Sequence, residues 1–459
     1  MTGVHISERL SALLQRELKR FRVEHPQSFA LAERARASLL GGVPMHWMIR
    51  WAGGFPVFAQ EAHGSRFVDV DGIEYVDFCL GDTGAMTGHS PEPVVRAISE
   101  QAGRGITLML PSEDAIWVGN EMKRRFGLPY WQFALTATDA NRFAIRIARR
   151  VTGRPKILVF NWCYHGTVDE TVVTLVDGEV RAREGSVGPP VDPAETTRIA
   201  EFNDLEGLER ELAHGDVACV LAEPALTNIG IVLPDPGFHD GLRELTRRYG
   251  TLLVIDETHT ICAGPGGYTA ANDLEPDLLT IGKPIGSGIP AAAYGLSDDV
   301  ARTLQERIPD ELSDVGGLGG TLAANVLSLA AMRATLSEVL TDDSFARMIS
   351  MGERFEEGVA GVVERHDLPW HVVRLGCRVE YLFHPEPART GAEAAAAGDA
   401  ELDRFMHLYA LNRGILMTPF HNMALMSPAT TSEDVDTHTA VLDEAAGELM
   451  GEGSGLNAA

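Results

Sequence analysis

The chain has 459 residues, with 65 Asp and Glu against 39 Lys and Arg, for a formal charge of −26. Such an acidic surface repels nucleic acid and anionic membranes, and no apolar run is long enough to span a bilayer. The five cysteines, Cys79, Cys163, Cys219, Cys262 and Cys377, match neither a metal knuckle nor a disulfide framework. With no signal-peptide core at the N-terminus, this points to a cytoplasmic protein.

Leu10, Leu14, Leu18 and Phe21 recur at helical spacing and predict an amphipathic first helix, available to cover a neighbouring surface or a partner subunit. FVDVDGIEYVDF reads as two short strands joined by a turn at Asp71-Gly72, followed by a Gly- and Pro-rich loop and a helix over 91–103. From about residue 130 the apolar runs KILVF, ACVLAEP, TLLVIDE, DLLTIG and AAYGL alternate with amphipathic stretches such as ANRFAIRIARRV and FHDGLRELTRRYG. That alternation predicts an α/β architecture, a central mostly parallel sheet with helices on both faces. A long helical region, the strand-like WHVVRLGCRVEYLF and a last helix capped by Thr431 and Asp434 predict a smaller C-terminal α+β domain. SVGPPVDPAE reads as an exposed loop, and PEPARTGAEAAAAGDAELDR as a surface excursion or short helix. The expected division is 1–80 for an N-terminal segment serving the small domain and a dimer interface, 81–330 for a large domain, and 331–459 for the small domain.

The chemistry concentrates in LLVIDETHTICAGPGGYTAANDLEPDLLTIGKPIGSGIP. An acidic pair, Asp256-Glu257, ends one apolar run, and Lys283 ends the next. A lysine among apolar residues and glycines loses hydration and becomes a nucleophilic amine able to form a Schiff base. A carboxylate at a strand end can hold a positive charge on a cofactor ring. Pyridoxal phosphate needs both groups, one at its aldehyde and one at its pyridine nitrogen. Read alone, the acidic pair could equally cap a strand and Lys283 could sit in an exposed loop.

In these motifs the chain resembles the class III, fold-type-I aminotransferases, more closely their glutamate-1-semialdehyde aminomutase-like branch, from about Gly41 to Val441. The resemblance implies a fold-type-I pyridoxal-phosphate-dependent transferase with pyridoxamine phosphate as its turnover form. LLVIDE makes Asp256 the partner of the pyridine nitrogen, and LLTIGKPIGSGIP makes Lys283 the Schiff-base lysine. Thr258 stands where the family carries a valine packed on the ring. WQFALTATDANRFAIRIARRVTGRPKI resembles the phosphate-binding turn, so Ala137 and Thr138 are phosphate contacts at a helix start, with Ala137 replacing the usual glycine. FNWCYHG makes Tyr164 the ring-stacking residue and His165 its support at the ring edge. Glu223, in ACVLAEPALTNIGIVLP, falls on the cofactor's O3 side, with Asn228 and Asn203 as weaker supports. GGLGGTLAANVLSLAA resembles the glycine-rich loop that reaches the phosphate across a subunit interface, which makes Thr321 a contact in trans and implies a homodimer with composite active sites.

Arg50 in WMIRW and Arg378 in GCRVEYLF are the candidates for clamping a substrate carboxylate, or else are structural ion-pair residues. Trp47, Trp51, Phe55, Phe420 and Met423 suit a hydrophobic amine or amino acid, or plain packing. The aminomutase branch commonly carries a glutamate in the segment TPFHNMALMSPATT, where this chain places Met423. The expected reaction is therefore amino transfer from a hydrophobic amine or amino acid to a small 2-oxo acid, with an aminomutase acting on an amino semialdehyde as the alternative. A catalytically silent binding protein is a third reading, against which the intact Asp256 and Lys283 count. DETHT is not HExxH, and neither a GxxxxGK loop nor a dinucleotide fingerprint is present, so no metal or nucleotide is expected.

Overall fold

The computed structural model describes residues 3–307, 317–419 and 421–451. The chain forms two compact units. The smaller gathers residues up to Pro91, Arg347–Pro387 and those from Ala397 onward, and the larger holds Glu92–Ala346 with Ala388–Ala396.

Strands β1 (Ala59–His63), β2 (Arg66–Asp69) and β3 (Glu74–Asp77) open the smaller unit. The larger unit contributes β4 (Tyr130–Ala134), β5 (Lys156–Phe160), β6 (Val173–Val176), β7 (Glu179–Ala182), β8 (Thr197–Ala200) and β9 (Val217–Ala222). It continues with β10 (Leu252–Asp256), β11 (Leu278–Ile281) and β12 (Ala292–Leu296). The chain then returns to the smaller unit for β13 (His371–Leu375), β14 (Arg378–Leu382), β15 (Ile415–Leu416) and β16 (Met423–Leu425).

The larger unit is built on a seven-stranded sheet of order β4-β12-β11-β10-β9-β5-β8. Its central pairs β11–β10, β10–β9, β9–β5 and β5–β8 are parallel, and β12 alone runs against its neighbours β11 and β4. This is the mostly parallel central α/β sheet that the alternating pattern predicts. Strands β9, β10 and β11 are apolar without alternation because both faces are buried under helices. Helix Ala137–Thr152 shows why it docks there: Ala140, Phe143, Ala144, Ile147 and Ala148 recur every three or four residues and are buried. Thr136 caps it, its hydroxyl accepting the amide of Asp139 at 3.2 Å.

In the smaller unit β1, β2, β3 and β15 form one sheet, and β13, β14 and β16 form an antiparallel second. The last helix, Ser432–Met450, carries the expected capping box: Thr431 Oγ1 accepts from Asp434 N at 3.2 Å, and Asp434 Oδ2 accepts from Thr431 N at 2.9 Å. The first helix, Gly3–Glu24, packs on helices Ala400–Leu411 and Ser432–Met450 of its own unit. Its apolar residues Leu10, Leu14 and Phe21 are buried, Phe21 against His25 and Phe55, so that stripe is not an open dimerisation surface. Among the described residues no helix is long and apolar enough to cross a membrane. All five cysteines are free and buried.

Candidate active site

Strands β10 and β11 lie side by side in parallel with Asp256 in register with Thr280. The chain leaves both strands at the same level. Equally far beyond that pair stand His259 on one side and Lys283 on the other, and Lys283 Nζ lies 2.7 Å from His259 Nε2. Lys283 takes a left-handed backbone, φ 46°. A non-glycine residue pays roughly 1–2 kcal/mol for that conformation, a strain met where a side chain must be aimed.

Asp256 is 4% exposed. Its Oδ2 accepts from Asn141 Nδ2 at 2.8 Å and bonds His165 Nδ1 at 2.9 Å, while its Oδ1 accepts from Thr258 N at 3.1 Å. Burial alone would raise this carboxyl, but the His165 bond and charge, with the bonds from Thr258 and Asn141, hold it below the ordinary carboxylate range. For His165, burial opposes the charged form, and Cys163 and Asp256 outweigh it, so its pKa lies well above ordinary. An anion is thus fixed at the strand end. The helix Ala137–Thr152 supplies Asn141, whose Oδ1 accepts from Thr280 Oγ1 at 2.6 Å and ties β11 to the same carboxylate.

Ala137 opens that helix. A Cβ on Gly282 would stand 3.0 Å from both the amide nitrogen and the Cβ of Ala137. The methyl that replaces the family's glycine therefore fits because the residue opposite has none. The amide of Thr167 donates to Thr138 Oγ1 at 3.1 Å, and Gly166 leaves room for it, since a Cβ there would fall 2.1 Å from that hydroxyl. Glu223, just past β9, is 2% exposed and accepts from the amide of Tyr164 at 3.1 Å and from the Thr227 hydroxyl. Burial pushes its carboxyl up. Tyr164 keeps 40% of its surface exposed. Thr258 is buried, and its hydroxyl oxygen has no hydrogen-bond partner among the described residues. Thr321 sits in an exposed turn. Asn203 is occupied in holding its loop, donating to the carbonyls of Leu233 and Arg389 at 3.0 and 2.9 Å, and Asn228 donates to the carbonyl of Trp162 at 3.1 Å.

The remaining candidates belong to the smaller unit. Arg378, on β14, is fully buried and reaches Thr83 Oγ1 at 3.4 Å and Asp82 Oδ1 at 4.0 Å. Arg50 is exposed at the end of the short helix His46–Arg50. Trp47 donates to Met45 Sδ at 3.0 Å. Met423 is buried on β16 directly opposite Glu380 of β14, itself buried with its Oε1 3.2 Å from His421 Nδ1. Phe420 lies outside the described residues.

Two residues escape the sequence reading. Asn141 carries a legible signal, an amide on the apolar face of an amphipathic helix, where a buried polar group needs partners. His259 carries none, because its partner comes from another strand. Among the described residues no group of three or more His, Cys, Asp or Glu is placed to hold a metal ion.

The aminotransferase class-III family profile matches residues 48–445. The chain belongs to the class III aminotransferases. It is accordingly a pyridoxal-phosphate-dependent enzyme of fold type I. This class III chain is 35% identical over 429 residues to a glutamate-1-semialdehyde 2,1-aminomutase of Sorangium cellulosum, covering 92% of this chain and 96% of the relative. The solved glutamate-1-semialdehyde aminomutase of Pseudomonas aeruginosa PAO1 is 51% identical, with a TM-score of 0.94 over 96% of this chain and 99% of that one. A lysine-to-alanine variant of the same protein, solved in complex with PMP, superposes with the same TM-score of 0.94.

Proposed function

We propose that the chain is an amino-group mutase of the glutamate-1-semialdehyde type, moving an amino group within a small amino aldehyde that carries a carboxylate. The observation that carries this reading is the full-length likeness, at 51% identity, to a solved aminomutase. It reverses the order of preference drawn from the sequence, which put intermolecular transfer first because Met423 replaces a glutamate. The fold softens that objection: Glu380 stands in register opposite Met423, so a buried carboxylate remains one strand spacing away. Transfer from an external hydrophobic amine to a small 2-oxo acid is the second reading, favoured by Met423 itself.

The donor set fits pyridoxal phosphate: a buried ionised Asp256, an amine at Lys283, and a helix start at Ala137 and Thr138 against two glycines. When bound, that cofactor supplies an aldehyde for an amine and a ring that accepts an electron pair. Lys283 would hold the aldehyde end and, once released, carry the proton between substrate carbon and cofactor. Asp256, kept ionised by His165 and Asn141, would face the ring nitrogen. Ala137 and Thr138 amides would bind phosphate, with Thr321 of a second copy. Tyr164 would stack on the ring, with Thr258 on its other contacts and Glu223 at the O3 side. Of the two arginines, Arg378, buried beside Thr83, is our candidate to hold a carboxylate bidentately.

The test is a product assay with glutamate-1-semialdehyde, run beside a panel of α-amino acids, β-amino acids and plain amines with pyruvate or 2-oxoglutarate. Isomerisation of the semialdehyde without an external acceptor is expected. Amino transfer to the acceptor with no isomerisation would sink the mutase. In the same assay Arg378→Ala is expected to raise KM by about tenfold or more, and Arg50→Ala to change it by less than about threefold.

A homodimer is part of this reading. Leu108, Met109 and Leu110 stand exposed with Ile106 and Ile116, an apolar run that a second copy of the chain would cover. Sedimentation of the loaded enzyme at micromolar concentration is expected to show a dimer, and an active monomer would reject composite sites.

A further inference from the structure

The contact between Lys283 and His259 has a built character. His259 is 8% exposed. Its turn is held by the second member of the acidic pair: Glu257, fully buried, accepts from Thr260 Oγ1 at 2.6 Å, Tyr268 N at 3.1 Å and Thr269 N at 2.5 Å. The amide of Ile261 closes on the Glu257 carbonyl at 3.0 Å, and that of Cys262 on the His259 carbonyl at 3.3 Å. On the other side Lys283 is aimed by a left-handed backbone. The two turns leave neighbouring parallel strands at one level, so the 2.7 Å contact follows from sheet register and not from a chance swing of a long side chain.

We infer that His259 is a positioning residue that holds the Lys283 amine whenever that amine is not bonded to the cofactor. This rests on the reading of Lys283 as the cofactor lysine. Once a substrate amine displaces it, a lysine on four methylenes has many rotamers open to it, and proton transfer needs one. An ammonium has only donors, so while Lys283 is protonated the bond uses the lone pair of Nε2 and places the ring proton on Nδ1. A neutral amine can be held at the same distance by donating one N–H, and its lone pair stays free to take the substrate proton. His259 thus serves both protonation states without moving. The acidic pair divides its work accordingly: Asp256 faces the cofactor ring, and Glu257 fixes the turn that carries the histidine.

The experiment compares His259→Leu, which removes the ring nitrogens, with His259→Gln, which keeps a polar group of similar reach. The first readout uses apoenzyme and brief treatment with acetic anhydride, followed by mass spectrometry of the peptides bearing Lys283 and, as internal references, Lys19, Lys123 and Lys156. Loss of the hydrogen bond is expected to raise Lys283 modification about threefold or more relative to the references in H259L, and to leave H259Q within about twofold of wild type. The second readout is steady-state kinetics of the loaded enzyme: kcat about tenfold lower in H259L with KM nearly unchanged, and partial recovery in H259Q. Should H259L fail to fold, H259N, too short to reach Nζ, takes its place on the same scale. Wild-type labelling ratios in the Leu or Asn variant would overturn the inference. Because labelling is read without cofactor, that failure is separate from a failure of the Lys283 assignment, which is decided by where the cofactor is trapped, and from a failure of the mutase reading, which is decided by the product assay.

Discussion

Enzyme with alanine at position 283 is expected to lose more than about four orders of magnitude in turnover while still folding and retaining cofactor noncovalently. On the proposed reading the lysine has two tasks that no neighbour could assume, the covalent hold and the proton transfer. On the same reading Asp256, Thr138 and the start of helix Ala137–Thr152 would remain to bind the ring and phosphate. Borohydride reduction of the wild-type enzyme gives the complementary result. The reduced cofactor is expected on the peptide carrying Lys283, with loss of the visible absorption. Label on the peptide of Lys19, Lys123 or Lys156 would refute the assignment, and so would retained turnover in the alanine variant.

Asp256→Asn is expected to lower kcat by about 10²- to 10³-fold with cofactor still bound. The amide copies the shape of the carboxylate but cannot carry its charge, and a ring nitrogen that loses its proton accepts electrons poorly. Because Asp256 is held below the ordinary carboxylate range by His165, Thr258 and Asn141, it stays ionised throughout the neutral range. Asn141→Ala removes one of those bonds and leaves the charge, so a smaller loss is expected, between wild type and Asp256→Asn. Turnover and cofactor absorption are measured on all three enzymes. Wild-type kcat in Asp256→Asn would remove this carboxylate from the mechanism.

Much of the larger unit was legible because its signals are local. KILVF, ACVLAEP, TLLVIDE, DLLTIG and AAYGL became β5, β9, β10, β11 and β12, since short apolar runs between amphipathic helices have few other ways to be buried. The strands β4 and β8 were not singled out: YWQFA is short and alternates exposed with half-buried residues, TRIA is short and half polar, and both stand at the ends of the sheet order. The first helix was legible as a helix, but not what it covers. Glu17 sits on its buried side and accepts from Asn412 Nδ2 at 2.8 Å, a partner nearly four hundred residues away in the chain.

The chemistry available to this chain is written in its motifs. An acidic pair behind one apolar strand and a lysine behind the next supply a carboxylate and an amine, which alone could equally be a strand cap and a loop lysine; the resemblance of these motifs and of the capped helix start to the class III aminotransferases is what names the cofactor class. Which side chains meet is settled by the fold. His165 and Asn141 converge on Asp256 from different elements, Glu380 lies across from Met423, and His259 reaches Lys283. Each meeting depends on strand register and helix docking, which are set by the packing of the whole core, and no local pattern around any one of these residues encodes its distance to the others.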